Sequence, residues 1–395
     1  MLGSVWRMGQ AAQGVSELGY AMVAFPPQGS RAVSPVSAWV LRETVGIPTD
    51  SGSHAAAVTL LRQEHPAIGL SAAIWMNSTC GVARINALAD GDTVTVSTEL
   101  PHDLDIARWV SATTGGSFDA LPVQPSAIAG TLALAATSTL TLASWVTPPS
   151  VVSSRSLTST WGVQNVLRTN GAQCGLAWDP LLGVIGVVID AADGVVMASV
   201  IADPEIDPVH VQAAAVRTAA RFIAHEAVLL PGVPSQIRRD WWQVIDVDPD
   251  VDDAENTAVL PAWSVATSTE LVNGELGFFE AMWTGLGGEL SDDNAAADAQ
   301  QWCAMSYHAH GMWGVSVSAA HVGTRVWGNA MLAALRLPDP PPPPPTGPIV
   351  RLPVELRFTH PFAVAAVSVS QNHQSPWHLT PLLCAWVAEA VEADG

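Results

Sequence analysis

Residues 323–362 read GTRVWGNAMLAALRLPDPPPPPPTGPIVRLPVELRFTHPF, and different kinds of chain meet in them. Proline is absent from Gly323 to Leu337. Drawn as a strand, this half places Thr324, Val326, Gly328, Ala330, Leu332 and Ala334 on one face, every one small or apolar. The other face carries Arg325, Trp327, Asn329, Met331, Ala333 and Leu335. Strand side chains alternate with period two, and no proline here would remove a ladder donor, so the half can pair as a central strand. An ordinary half-buried strand alternates in the same way. Pro340 to Pro345 is unbroken, and six prolines in polyproline II span roughly 19 Å as a stiff, solvated rod. Beyond Pro353, Val354 to Phe358 and Phe362 to Val369 read as strands. Residues 323–353 are therefore expected to form an exposed loop with a polyproline segment at 338–348.

Upstream, Trp313 to Ala319 and Leu260 to Val265 also read as strands, and Asp246 to Glu255 as an acidic loop. The clearest local signal is a hairpin over 184–201. There VIGVVID and VVMASVI flank Ala191-Ala192-Asp193-Gly194, with Asp-Gly supplying the positive-φ turn position. Pro208 to Leu229 follows as a helix. Ile68 to Met76 and Ala127 to Trp145 suit central strands, and Leu104 to Thr113 a short helix stopped at Gly115-Gly116. Residues 4–24 carry a helical pattern, and an apolar run to Val45 suits a buried helix opening at Ser34 or Pro35. Helices dominate the first third and strands the remainder, an α+β layout.

The chain has 395 residues, 49% of them hydrophobic, enough to bury a large core. Mean hydropathy is high at +0.27, yet the most apolar stretch, Ala127 to Val146, is broken by Gly130 and a series of Thr and Ser. It reads as buried strand, not as a membrane span. No apolar h-region follows the opening MLGSVWRMGQAAQG, so no secretory signal is visible and the cytoplasm is the default compartment. All sixteen basic residues are Arg. Without Lys there is no Walker A loop, Ser-x-x-Lys nucleophile, kinase strand lysine or Schiff base. Gly-x-Ser-x-Gly, His-Glu-x-x-His and paired Cys-x-x-Cys are missing as well. A formal net charge of −20 argues against nucleic acid or an anionic membrane as partner.

The four cysteines, Cys80, Cys174, Cys303 and Cys384, lie far apart among apolar neighbours and read as free buried thiols. Tyr307-His308-Ala309-His310 offers two imidazoles without a third ligand at metal spacing. Asp246, Asp248, Asp250 and Asp252 suggest a calcium loop, but Val251 and Thr257 occupy its glycine and bidentate positions. Neither metal nor cofactor is expected.

In their order along the chain these elements resemble the serpin family from end to end. Ser34-Pro35-Val36-Ser37 is similar to the family's Ser-Pro-x-Ser entry to a buried helix beneath the main sheet. Ile106 to Val110, Thr114 to Phe118 and Leu121-Pro122 resemble its next helix and turn. Ala136 to Trp145, followed by Thr147-Pro148-Pro149, resembles a central strand. Leu260 to Val265, then Leu276-Gly277 and Leu290-Ser291, stand in the family's order. Gly323-Thr324 resembles the E-x-G-T-E-A hinge, and Phe358 to Phe362 the F-x-x-x-H/R-P-F segment, with Ser375-Pro376 leading into the last strand. Departures are plain too. Thr137 stands where Asn is usual, Thr141-Leu142-Ala143 replaces Phe-Lys-Gly, His321-Val322 precedes the hinge glycine, and the loop is longer than in most members.

The resemblance implies one serpin-like domain over 1–395. Its parts would be a large central mixed β-sheet, a second sheet or barrel, eight or nine helices and an exposed reactive-centre loop. It implies inhibition and not enzymatic turnover: a serine protease attacks the loop, and the cut loop enters the main sheet as a new strand. Gly323, Thr324, Val326, Gly328 and Ala330 would form the hinge. Arg336–Leu337 would be the bait bond, offering Arg to a trypsin-like pocket. His308 would join Ser34 and Ser37 in a hydrogen-bond cluster latching the sheet, with Trp145 at the sheet opening. Two alternatives stay open. One is a non-inhibitory serpin-fold module whose proline-rich loop docks a polyproline-binding protein. The other is a small-molecule hydrolase, which needs a Ser–His pair in an open pocket.

Overall fold

The computed structural model describes residues 9–24, 27, 29–46, 52–76, 94–123, 131–226, 228–230, 233–234, 239–244, 255–272, 276–278, 281–282, 295–324, 349–350 and 353–393. Its helices are α1 (Gln10–Val23), α2 (Pro35–Val45), α3 (Gly52–Arg62), α4 (Asp103–Thr113), α5 (Arg155–Trp161) and α6 (Pro208–Ile223). The first strands are β1 (Arg31–Val33), β2 (Ile68–Met76), β3 (Val94–Ser97), β4 (Ala133–Ser144), β5 (Ser150–Ser153), β6 (Asn165–Asn170) and β7 (Cys174–Asp179). Then come β8 (Gly183–Ala192), β9 (Val195–Ile201), β10 (Val233–Pro234), β11 (Trp242–Val244), β12 (Thr257–Leu260) and β13 (Trp263–Glu270). The last are β14 (Ala295–His308), β15 (Gly311–Thr324), β16 (Ile349–Val350), β17 (Val354–Arg357), β18 (Phe362–Ser368) and β19 (Pro381–Val387).

Two six-stranded sheets carry the molecule. One has the order β1-β19-β18-β9-β8-β7, the other β13-β14-β15-β4-β2-β3. A five-stranded sheet, β11-β17-β12-β6-β5, and the β10–β16 pair complete the set. The expected hairpin is β8–β9, closed by Asp193-Gly194 with Gly194 at φ 74°. Strands β9, β18 and β19 are buried at every position, so α6 can lay its apolar stripe across them. Asp207 caps that helix through the Val209 N–H (2.9 Å), and Pro208 opens it.

Helix α2 lies between the two six-stranded sheets, its residues buried almost all round. Ser34 caps it, accepting from Ser37 N–H, and Pro35 sets the first turn. The ring of Trp39 lies so close to Gly14 of α1 that a Cβ there would meet its Nε1 at 2.5 Å. On the opposite face of the second sheet, Ile106 and Val110 of α4 join Ala73, Trp75, Leu134, Ala136, Val317 and Ala319 in a separate apolar cluster.

Six helices stand among the described residues where eight or nine were expected. The helix expected to reach Leu229 stops at Ile223. The larger departure is β14, read as no element at all, and the growth of the strand at Trp313 to Ala319 into fourteen-residue β15.

Candidate functional site at the centre of the second sheet

Strands β14 and β15 form one long hairpin, registered from His308↔Gly311 at the turn to Ala295↔Thr324 at the open end. On its other side β15 pairs with β4 from Gly311↔Ser144 to Val322↔Ala133. It is thus a central strand, antiparallel to both neighbours, about 44 Å long at ~3.4 Å per residue. Two glycines let it sit close. A Cβ on Gly311 would strike the Ala143 carbonyl of β4, and one on Gly314 would strike Leu383 of β19.

Midway along, the inward side chains of three adjacent strands meet the start of α2 in a buried hydroxyl cluster. Gln301 of β14 donates through Nε2 to Ser34 O (2.9 Å) and Ser318 Oγ (2.8 Å), while its Oε1 accepts from Ser34 N–H (2.8 Å). Ser318 Oγ lies 2.9 Å from Ser37 Oγ, and Ser316 Oγ 2.8 Å from Thr139 Oγ1. Thr137 Oγ1 donates to Ser37 O (2.8 Å). Ser34 Oγ donates to Leu382 O (2.9 Å), tying the cluster to β19. Buried polar groups are costly unless paired, so these contacts fix the register of β15 against its neighbours.

The turn end is built differently. Tyr307 stacks on Trp263 at 18° and touches Trp145, ring centroids 5.4 Å apart. Trp145 Nε1 donates to His308 O (3.0 Å), its N–H to His310 O (3.1 Å), and Val146 N–H to Ala191 O (2.8 Å). There the second sheet is fastened to the β8 end of the first.

No family model and no curated protein matches the sequence. Solved structures do match the fold. "Cleaved Serpin 42Da" superposes with a TM-score of 0.60 over 96% of each chain at 12% identity. A loop-inserted cleaved ovalbumin mutant gives 0.59 over 96% of this chain and 99% of its own at 10% identity. The thermophilic serpin tengpin, in the latent state, gives 0.59 over 99% and 100% at 12% identity. This chain has the serpin fold. A thyroxine-binding globulin complexed with thyroxine-fluorescein matches less well, at 0.51 over 79% of this chain and 11% identity.

Within this serpin fold the expected site residues fall in different places. Ser34 and Ser37 come together in the hydroxyl cluster, but His308 does not join them. Its side chain is exposed at the turn, and its carbonyl serves Trp145; the third partner of the serines is Gln301. A lone Gln carries no motif in the sequence, yet its primary amide offers the donor and acceptor together that the cluster needs. Gly323 and Thr324 do not open an exposed loop. They are the last ladder residues of β15, paired with Ala296 and Ala295, so the loop expected from Gly323 onward begins after them. Val326, Gly328, Ala330, Arg336, Leu337 and the polyproline segment lie outside the described residues. So do the acidic run at Asp246 to Asp252 and Cys80; Cys174, Cys303 and Cys384 are buried and free.

A Ser–His pair does exist, Ser368 Oγ to His65 Nε2 at 2.9 Å. His65 Nδ1 accepts from Ala67 N–H (3.2 Å), so in the neutral ring Nε2 carries the proton and donates to the serine. Ser368 has no exposed surface. That is the reverse of a base activating a nucleophile, and the pair is not a hydrolase site. Among the described residues no group of three metal-ligating side chains occurs, and no helix is long and apolar enough to cross a membrane.

Proposed function

We propose that this serpin-fold chain is a suicide-substrate inhibitor of a trypsin-like serine protease, with β15 as the strand its loop contributes to the sheet. The observation that carries this is the build of β15. It is central, antiparallel to both neighbours, and joined to β14 by the turn at Ala309 and His310. Along its middle the inward residues Gly314, Ser316, Ser318 and Ala320 are all small, with the larger Met312 and Val322 toward its ends. A strand whose middle presents small side chains to the core needs little repacking there when it enters. Insertion-compatible alternation thus lies one strand earlier than 324–334. The bait bond is then Arg336–Leu337, or Arg325–Val326 immediately after the strand.

Incubation with trypsin tests this. The expected result is a complex stable to SDS and a cleaved form that melts above the intact chain, with N-terminal sequencing of the released fragment choosing between the two arginines. Cutting with neither effect overturns inhibition and leaves the fold untouched.

One observation favours a second reading, a non-inhibitory binding protein: β15 is seated in the uncut chain. Residues 325–348 number twenty-four, enough to reach roughly 80 Å extended, well beyond the ~44 Å needed to run back along the strand. On this reading cleavage leaves the melting temperature where it was.

A further inference from the structure

We propose that the contact between Asp190 and Tyr307 is a proton-operated latch: with Asp190 neutral it closes the junction between β8 and the turn end of the second sheet, and loss of that proton to solvent loosens it. Asp190 points from β8 into the aromatic end of the second sheet and is 1% exposed. Its Oδ2 accepts from Tyr307 Oη at 3.1 Å, and its Oδ1 has no partner. Tyr307 itself is fully buried, held between Trp263 and Trp145. A buried carboxylate with one hydrogen bond and no cation is poorly compensated.

The titratable groups facing Asp190 add no positive charge. From β14 comes the Tyr307 hydroxyl, whose own pKa burial and the Asp190 charge drive well up. From β7 comes the Cys174 thiol, pushed up to about 12 by burial, then by Asp190 and Glu255. Burial, opposed by the Tyr307 hydrogen bond, pushes the Asp190 carboxyl up to about 7.

Ionisation is relieved by admitting water, which requires Tyr307 and Trp145 to part from β8. The backbone bond crossing that boundary, Val146 N–H to Ala191 O, would then open. The latch needs only this junction, so it stands whether or not the chain inhibits a protease.

Because the closed-state pKa lies above that of an exposed Asp, closure is strongest below about pH 4 and is lost as pH rises through about 7. Hydrogen exchange of the Val146 amide in the full chain reads it out, corrected for intrinsic rates, with β9 and β18 amides as control. Opening is expected to rise roughly tenfold between about pH 6 and about pH 8 and then level off. Asp190→Asn should abolish the rise. Tyr307→Phe removes the one bond that lowers the Asp190 pKa, so its midpoint should move to higher pH, which a merely structural role would not do. An equal rise in Asp190→Asn, or an unmoved midpoint in Tyr307→Phe, overturns the latch.

Discussion

The two six-stranded sheets differ in what fills them. In the first, β9, β18 and β19 read VVMASVI, FAVAAVS and PLLCAWV and are buried at every position. Their stability comes from apolar area and close packing. In the second, β4 and β15 carry ATSTLT and GVSVSA through the middle, where hydroxyls bond across strands to Gln301 and α2. A core of large apolar side chains collapses badly when a piece is removed. A row of Ser, Thr, Ala and Gly can close over a missing strand, since each hydroxyl donates and accepts. One sheet is held by apolar packing, the other by hydroxyls bonded from strand to strand.

Substitutions can break this contrast, and the largest effect belongs to the apolar side. Phe362, fully buried against Phe358 and Trp161, should cost about 3–5 kcal/mol as Phe362→Ala, seen as a lower urea midpoint. Gly314→Val drives a side chain into Leu383; overpacking of about 1–3 kcal/mol should fall where β15 meets β19. Faster proteolysis within 311–324 with unchanged exchange in the β8–β9 hairpin would bear that out, and uniform loosening would contradict it. Gln301→Ala orphans the buried Ser34 N–H and takes one of its two bonds from Ser318 Oγ, and should cost about 1–3 kcal/mol. Ser318→Ala, which leaves Gln301 its Ser34 bonds, should cost about 0.5–1.5 kcal/mol.

The smallest effect is an acid one. Burial lowers the His65 pKa to about 4, below the ~6.5 of an unfolded histidine. Its contribution is therefore whole above about pH 6.5 and fades as pH falls toward 4. Because the ring is partly exposed, His65→Gln should flatten only a shallow slope in the acid melting curve.

Much of the frame was legible in the sequence because local chemistry and tertiary position agree there. Ser34-Pro35 announces a capped helix, Asp193-Gly194 a tight turn, and Gly115-Gly116 the end of α4; all three stand as read. Strand β14 was invisible for the opposite reason. Ala295-Ala296-Ala297-Asp298-Ala299-Gln300-Gln301 holds no β-branched or aromatic residue, so its strand state comes from pairing with β15, joined by β13 from Gln300 on, and not from propensity. Without β14 in view, Gly323 reads as the start of a loop, whereas it is a ladder residue of β15. Gly311 and Gly323 stand near the two ends of β15, and only the ladder tells which one begins the central strand.

The asymmetry of β15 also has a mechanical consequence. One end is closed by the turn at Ala309 and His310, and the other, at Thr324, runs on into the rest of the chain. Load applied from the C-terminal side can peel the strand residue by residue, like a zipper, from Thr324 toward Gly311. Load on the turn along the strand axis must instead shear every rung against β4 and β14 together. The strand is thus easy to withdraw from one direction and hard from the other, so the force needed to release it depends on which end is held.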